Sequence, residues 1–239
     1  MIMAKLAIAF CVAALCALLA VCTAARGAEV DVALVLAADA SASMNAEDRA
    51  LQREGYAAAM ESPEVVALIE RGRHRRIAVV MFEWGAVREQ EQIVPWTIID
   101  SPDAAARVAR LIRSTPPIGL SQTSITGALR HAATLLATAP AADRRVVDVS
   151  GDGPDNGGFG LREARATLID AGVTINGLPI LGDPAAGAVL DDYYAEFVAG
   201  GEGSFVIPAN GFADFARAFR AKLMTEIAAH NVSRKFASR

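Results

Sequence analysis

The residues of this 239-residue chain best suited to chemistry are oxygen donors, and they fall in three short segments. The first is Asp39-Ala40-Ser41-Ala42-Ser43, the second Ser121-Gln122-Thr123-Ser124, and the third Ser150-Gly151-Asp152-Gly153. Alternate residues of an extended turn point the same way, so the spacing of the first segment can aim Asp39, Ser41 and Ser43 at one point. Thr123 and Asp152 bring the set to two carboxylates and three hydroxyls, without histidine or cysteine. That set suits a hard cation: Mg²⁺ takes about six oxygens at roughly 2.1 Å and keeps some of them as water, and Mn²⁺ accepts the same donors. Each segment alone is weak, because Asp, Ser and Thr after strands also cap helices or make tight turns. The weight lies in three such segments in order.

To converge, the three segments must follow strands of one sheet. Residues 30–38 (VDVALVLAA) form a near-continuous apolar run, the pattern of a strand buried on both faces of a parallel sheet. A helix is expected from a cap at Asn45 to about Glu70, with Glu47 and Asp48 in its first turn. Further strands are predicted at 76–82, 145–150, 173–180 and 204–207. Residues 92–99 carry Pro95 and read as an edge strand. Helices are predicted at 103–113, 125–137, 161–171, 190–198 and 212–229. Strands alternating with helices give one α/β domain, a doubly wound, mostly parallel sheet with helices on both faces and one antiparallel edge strand. In such sheets ligands bind outside the carboxyl ends of the strands, where all three oxygen-rich segments fall.

The pattern D-x-S-x-S, then a threonine, then an aspartate, resembles the metal-ion-dependent adhesion site of the von Willebrand factor A family. Here it reads DASAS at 39–43, Thr123 and Asp152, and the resemblance spans about 29–229. The stretch VVDVSGDGPDN further resembles an uncharacterised, exported bacterial branch of that family. The resemblance implies that Ser41, Ser43 and Thr123 bind Mg²⁺ (or Mn²⁺ or Ca²⁺) through their hydroxyls, with Asp39 and Asp152 binding directly or through water. The open coordination position would take an Asp or Glu carboxylate of a protein or peptide partner. Two positions depart from the family pattern: Ala42 stands where glycine is frequent, and Leu120-Ser121-Gln122 lacks the usual glycine pair. Neither change removes a ligand.

Other residues have competing readings. Glu83 and Trp84 end the second strand and could stand at the rim or just behind the ligands, or form a salt bridge and a core-edge aromatic. Asp155 and Asn156 could line the cleft or serve a turn. Asp148, within a buried strand, is expected in an internal hydrogen bond or ion pair. His131 reads as a packed helix residue, and His74 as part of a solvated basic turn before a strand. Tyr193 and Tyr194 read as a surface-to-core helix segment, with a partner interface as the alternative.

Lys5, the uncharged run 6–21 and the small residues 23–25 make the pattern of a secretory leader, expected over 1–27. The domain is expected over 28–230, followed by a loose basic tail at 231–239. All three cysteines (Cys11, Cys16 and Cys22) lie in the leader, so the processed chain has no disulfide or thiolate chemistry. Loss of Lys5 and Arg26 takes the formal charge from −4 to −6. An acidic surface argues against nucleic acid as a partner. No stable membrane span is expected after leader removal, and the destination is periplasmic or secreted. The sequence holds no G-x-S-x-G elbow and no H-E-x-x-H. The expectation is a binding module and not an enzyme, with a metal-assisted hydrolase on the same site as the alternative.

Overall fold

Val30–Asp39 forms β1, and all ten of its residues are buried. A strand is buried along its whole length only when other strands flank it and helices cover both faces of its sheet. The computed structural model, which describes residues 29–182 and 184–237, has that arrangement. β2 (Ile77–Trp84) and β4 (Ala142–Gly151) pair with β1 in parallel on its two sides. β5 (Val173–Pro179) adds in parallel beyond β4, and β3 (Gln90–Ile99) closes the opposite edge antiparallel to β2. The strand order is β3-β2-β1-β4-β5. Pro95 is tolerated in β3 because pairing jumps from Val79–Thr97 to Met81–Val94, a bulge at a sheet edge where a missing amide is harmless.

The helices are α1 (Ala46–Met60), α2 (Pro63–Glu70), α3 (Pro102–Ser114), α4 (Ile125–Leu136), α5 (Leu161–Asp170), α6 (Pro184–Tyr193) and α7 (Phe215–Ala237). The alternation of β1 feeds two cores. Leu34 and Leu36 pack with Tyr56, Ile69, Val108 and Phe219 from α1, α2, α3 and α7. Val35 and Ala37 pack on the other face with Leu129 and Leu168 from α4 and α5. Each fully buried Leu, Val, Ile or Phe among them contributes about 1.5–3 kcal/mol. The fold expected from hydrophobic patterning is therefore the fold observed.

Element boundaries differ most in four places. The helix expected over 45–70 is two helices, because Ser62 caps a new one whose first residue is Pro63. The segment expected as a strand at 204–207 makes only isolated bridges, Gly177 to Val206 and, just past it, Ile180 to Ala209. The helix expected over 190–198 begins at Pro184 and ends in a π-helical turn, Tyr194–Val198. The last helix continues past Ala229 to Ala237. Residues 1–27, expected as a leader, lie outside the described residues. Among those described, no helix is long and apolar enough to cross a membrane.

Candidate metal centre

β1 and β4 lie side by side at the centre of the sheet, and their connections leave in opposite directions, β1 toward β2 and β4 toward β5. A crevice opens at such a switch point outside the carboxyl ends of the strands. Asp39 is the last residue of β1, and Asp152 follows the last residue of β4. Backbone hydrogen bonds bring in the Thr123 segment: Leu120 N–H donates to the Ala40 carbonyl at 2.8 Å and Ala42 N–H to the Ser121 carbonyl at 3.0 Å. Ser124 N–H donates to the Gly85 carbonyl at 2.9 Å, and the Ser124 hydroxyl caps α4 by accepting from Gly127 N–H.

Four of the predicted donors meet. Ser41 N–H donates to Asp39 Oδ1 at 2.7 Å, turning the chain so that the hydroxyls of Ser41 and Ser43 lie 3.0 Å apart. The Ser43 hydroxyl donates to Asp152 Oδ1 at 2.7 Å across the crevice. Thr123 is pinned to the β4 loop, its N–H donating to Asn156 Oδ1 at 3.0 Å and its carbonyl accepting from Asn156 and Gly157. Asp39, Ser41 and Thr123 are buried, whereas Ser43 is exposed. The site is thus closed below and open above.

Asp39 carries the electrostatic strain. Its Oδ2 is sealed from solvent without a hydrogen-bond partner. Burial, with the nearby Asp152 carboxylate adding to it, pushes its pKa up from 3.8 to about 7 against the hydrogen bonds from Ser41. Burial likewise raises Asp152. Two carboxyls held together where ionisation is penalised are what a divalent cation relieves. Neighbouring ligands of an octahedral Mg²⁺ lie about 3.0 Å apart, the spacing of the serine hydroxyls. The residues present fit an oxygen-bound divalent cation.

The support beneath Asp39 was not visible in the sequence. Gln52 of α1 donates to the Asp39 carbonyl at 2.8 Å and accepts from the Ser150 hydroxyl at 3.2 Å, and Ser150 lies 2.8 Å from the Tyr56 hydroxyl. Gly151 is tightly enclosed: a Cβ there would sit 2.7 Å from the Tyr194 hydroxyl and 2.8 Å from Asp39 Oδ2. The buried Tyr194 hydroxyl, itself without a hydrogen-bond partner, therefore flanks the orphaned carboxylate oxygen. Only the Gly-Asp-Gly spelling of the third segment hinted at this closeness.

Glu83 is fully buried and paired with Arg53 at 2.6 Å, so it ties β2 to α1 instead of facing the crevice. Trp84 ends β2 level with Asp39, but its side chain is fully buried in the α4–α5 core, so it offers no platform to a ligand. Asp155 accepts from the Thr126 hydroxyl at 2.6 Å and holds the start of α4, while Asn156 positions Thr123. His131 packs edge to face on Phe82, 4.7 Å between ring centres, and burial lowers its pKa. Asp148 is in a buried ion pair, 2.6 Å from Lys222. His74 is not in a purely solvated turn: with Asp31 and Asp143 it forms a second cluster, at the opposite end of the sheet.

The fold matches solved von Willebrand factor A structures. The von Willebrand factor type A protein from Catenulispora acidiphila superposes with a TM-score of 0.56 at 17% identity, over 83% of this chain and 43% of that one. The vWF domain of the type V pili tip protein Mfa5 from Porphyromonas gingivalis gives 0.54 at 15% identity, over 82% and 95%. Proximal thread matrix protein 1 from the mussel byssus, with a zinc-occupied MIDAS motif, gives 0.56 at 19% identity, over 84% and 49%. This chain therefore spans less than half the length of the Catenulispora and mussel chains. No curated protein matches it. The family described as Protein of unknown function (DUF1194) matches residues 29–231. With that match covering most of the chain, the protein belongs to the DUF1194 family and has the fold of a von Willebrand factor A domain.

Proposed function

We propose that this protein is an exported binding module whose crevice holds a divalent cation, Mg²⁺ or in its place Mn²⁺ or Ca²⁺, and through it a carboxylate of a protein or peptide partner. Asp39, Ser41, Ser43, Thr123 and Asp152 would hold the ion. The cation supplies an electrophilic position for an anionic oxygen. The observation that carries the reading is the convergence of Asp39, Ser41, Ser43 and Asp152 with one buried carboxylate oxygen left unsatisfied. Three neutral hydroxyls in the set leave the ion short of negative charge, which favours an acidic ligand. Export is inferred from the leader-like segment, and it accords with a pili tip protein among the structural relatives.

A metal-assisted hydrolase would need a general base beside the crevice. His131 is turned against Phe82, and Tyr194 and Tyr56 are buried with their pKa values raised well above the ordinary tyrosine value, so none is placed to take a proton near pH 7. The test is an array of peptides with and without Asp or Glu, probed in Mg²⁺ and in EDTA, alongside turnover of model esters and phosphates. Capture of acidic peptides only with Mg²⁺, without turnover, is expected. Metal-dependent turnover, or capture indifferent to EDTA, would contradict the proposal.

A further inference from the structure

At the amino-terminal end of the sheet, the turn between α2 and β2 folds back over the starts of β1 and β4. Asp31 of β1 sets its course. Its Oδ1 accepts from His74 N–H at 2.9 Å, its Oδ2 from Arg76 N–H at 3.4 Å, and its own N–H donates to the Arg76 carbonyl at 2.9 Å. Gly72 passes so close that a Cβ there would meet Asp31 Oδ2 at 2.1 Å, and Arg75 takes a φ of 58° to make the bend. The bend delivers the His74 imidazole to β4, with Nε2 3.2 Å from Asp143 Oδ2.

One ligand atom each from Asp31, His74 and Asp143 then lies within 4.8 Å of the others. Asp31 is 2% exposed, and His74 Nε2 is closed to solvent and makes no aligned hydrogen bond despite its approach to Asp143. A sealed imidazole nitrogen aimed between two carboxylates is an arrangement for coordination. We propose that Asp31, His74 and Asp143 form a second cation site, selective for a borderline ion of the Zn²⁺ type over Mg²⁺.

The chemistry differs from that of the crevice. Imidazole nitrogen favours Zn²⁺, while an all-oxygen set suits Mg²⁺. Two carboxylates and a neutral histidine balance a divalent charge and leave a fourth position for water. Ligands at about 2.0–2.1 Å from a tetrahedral Zn²⁺ lie about 3.4 Å apart, close to the His74–Asp143 separation. Asp143 is the partly exposed arm that can move to close the remaining edge. Its contact with Arg73, 3.5 Å to a side chain 57% exposed, is a weak competitor in water. The site is separate from the crevice: eight residues of β1 between Asp31 and Asp39 span about 26 Å. A bound ion would staple the starts of β1 and β4 to the turn before β2, in a domain with no cysteine after residue 22.

The test isolates this site by starting from Asp152→Ala protein. Zn²⁺ binding is measured by calorimetry, and zinc absorption-edge spectroscopy at one equivalent reads imidazole scattering, which the histidine-free crevice cannot give. One equivalent with imidazole scattering is expected, at least tenfold weaker when His74→Gln or Asp143→Asn is added. Metal-free melting temperature should be unchanged by either substitution. Absence of Zn²⁺ binding, or binding that neither substitution weakens, would overturn the proposal and leave the cluster an ion pair only.

Discussion

Asp39 folds with its carboxyl in a place that disfavours charge, and this makes the crevice sensitive to pH. Burial, first of all, pushes its pKa up from 3.8 to about 7. Between about pH 4 and pH 7 the folded state therefore binds more protons at this group than the unfolded state, and stability from it is lost as pH rises through 7. A cation must displace that proton, so its binding strengthens over the same interval. The Mg²⁺-induced rise in melting temperature is expected to be small at pH 5.5 and to grow to a plateau above pH 7.5, as read by thermal unfolding. A rise equal at all pH values would separate Asp39 from the ion. At this scale the candidate donors could be singled out because each lies at or just past a strand end, or just before a helix start. Tyr194 could not be, because a π-helical turn far along the chain delivers it, and of the two readings open for Trp84 the buried core aromatic is the one observed.

α7 is held to the sheet by charges as well as by its apolar face. Lys222 Nζ lies 2.6 Å from Asp148 of β4 and 2.7 Å from Glu226, and Asn176 of β5 donates to Glu226 at 2.7 Å, all four side chains being buried. Burial drives the Asp148 pKa upward and Lys222 opposes it. Lys222→Met would leave two buried carboxyls without a cation, a loss of about 3–5 kcal/mol. Because burial raises the Asp148 pKa and that carboxyl can escape by taking up a proton, the loss in denaturant unfolding should be larger at pH 8 than at pH 5. An unchanged midpoint would mean that the cluster carries no net stabilisation. Asp148 was legible as a paired residue from its place in an apolar strand. Its partner was not, since Lys222 lies 74 positions away, on a helix whose docking no local pattern fixes. The break between α1 and α2 was written in Ser62-Pro63, but the apolar periodicity running across it masked the signal.

Across the whole molecule, the two ends of one sheet carry two different clusters of polar donors. The carboxyl end gathers oxygen donors at the switch between β1 and β4, and the amino end gathers a histidine and two aspartates over the same two strands. The topology was readable from valine- and leucine-rich strands alternating with capped helices, and with it the location of the crevice. The amino-end cluster was not readable, because Asp31, His74 and Asp143 share no motif and meet only through the turn that wraps Asp31. Both sites would act on stability by mass action, since the unfolded chain holds neither arrangement.

The central claim is tested most directly by thermal unfolding of the purified protein in EDTA and then with Mg²⁺, compared with Asp152→Ala. At a hundredfold excess over the dissociation constant, binding to the folded state alone stabilises by about 2.7 kcal/mol. An upward shift with Mg²⁺ in the parent protein, absent in a folded Asp152→Ala variant, is the predicted result. No shift in the parent, or the same shift in both, would contradict a cation held between Asp39 and Asp152.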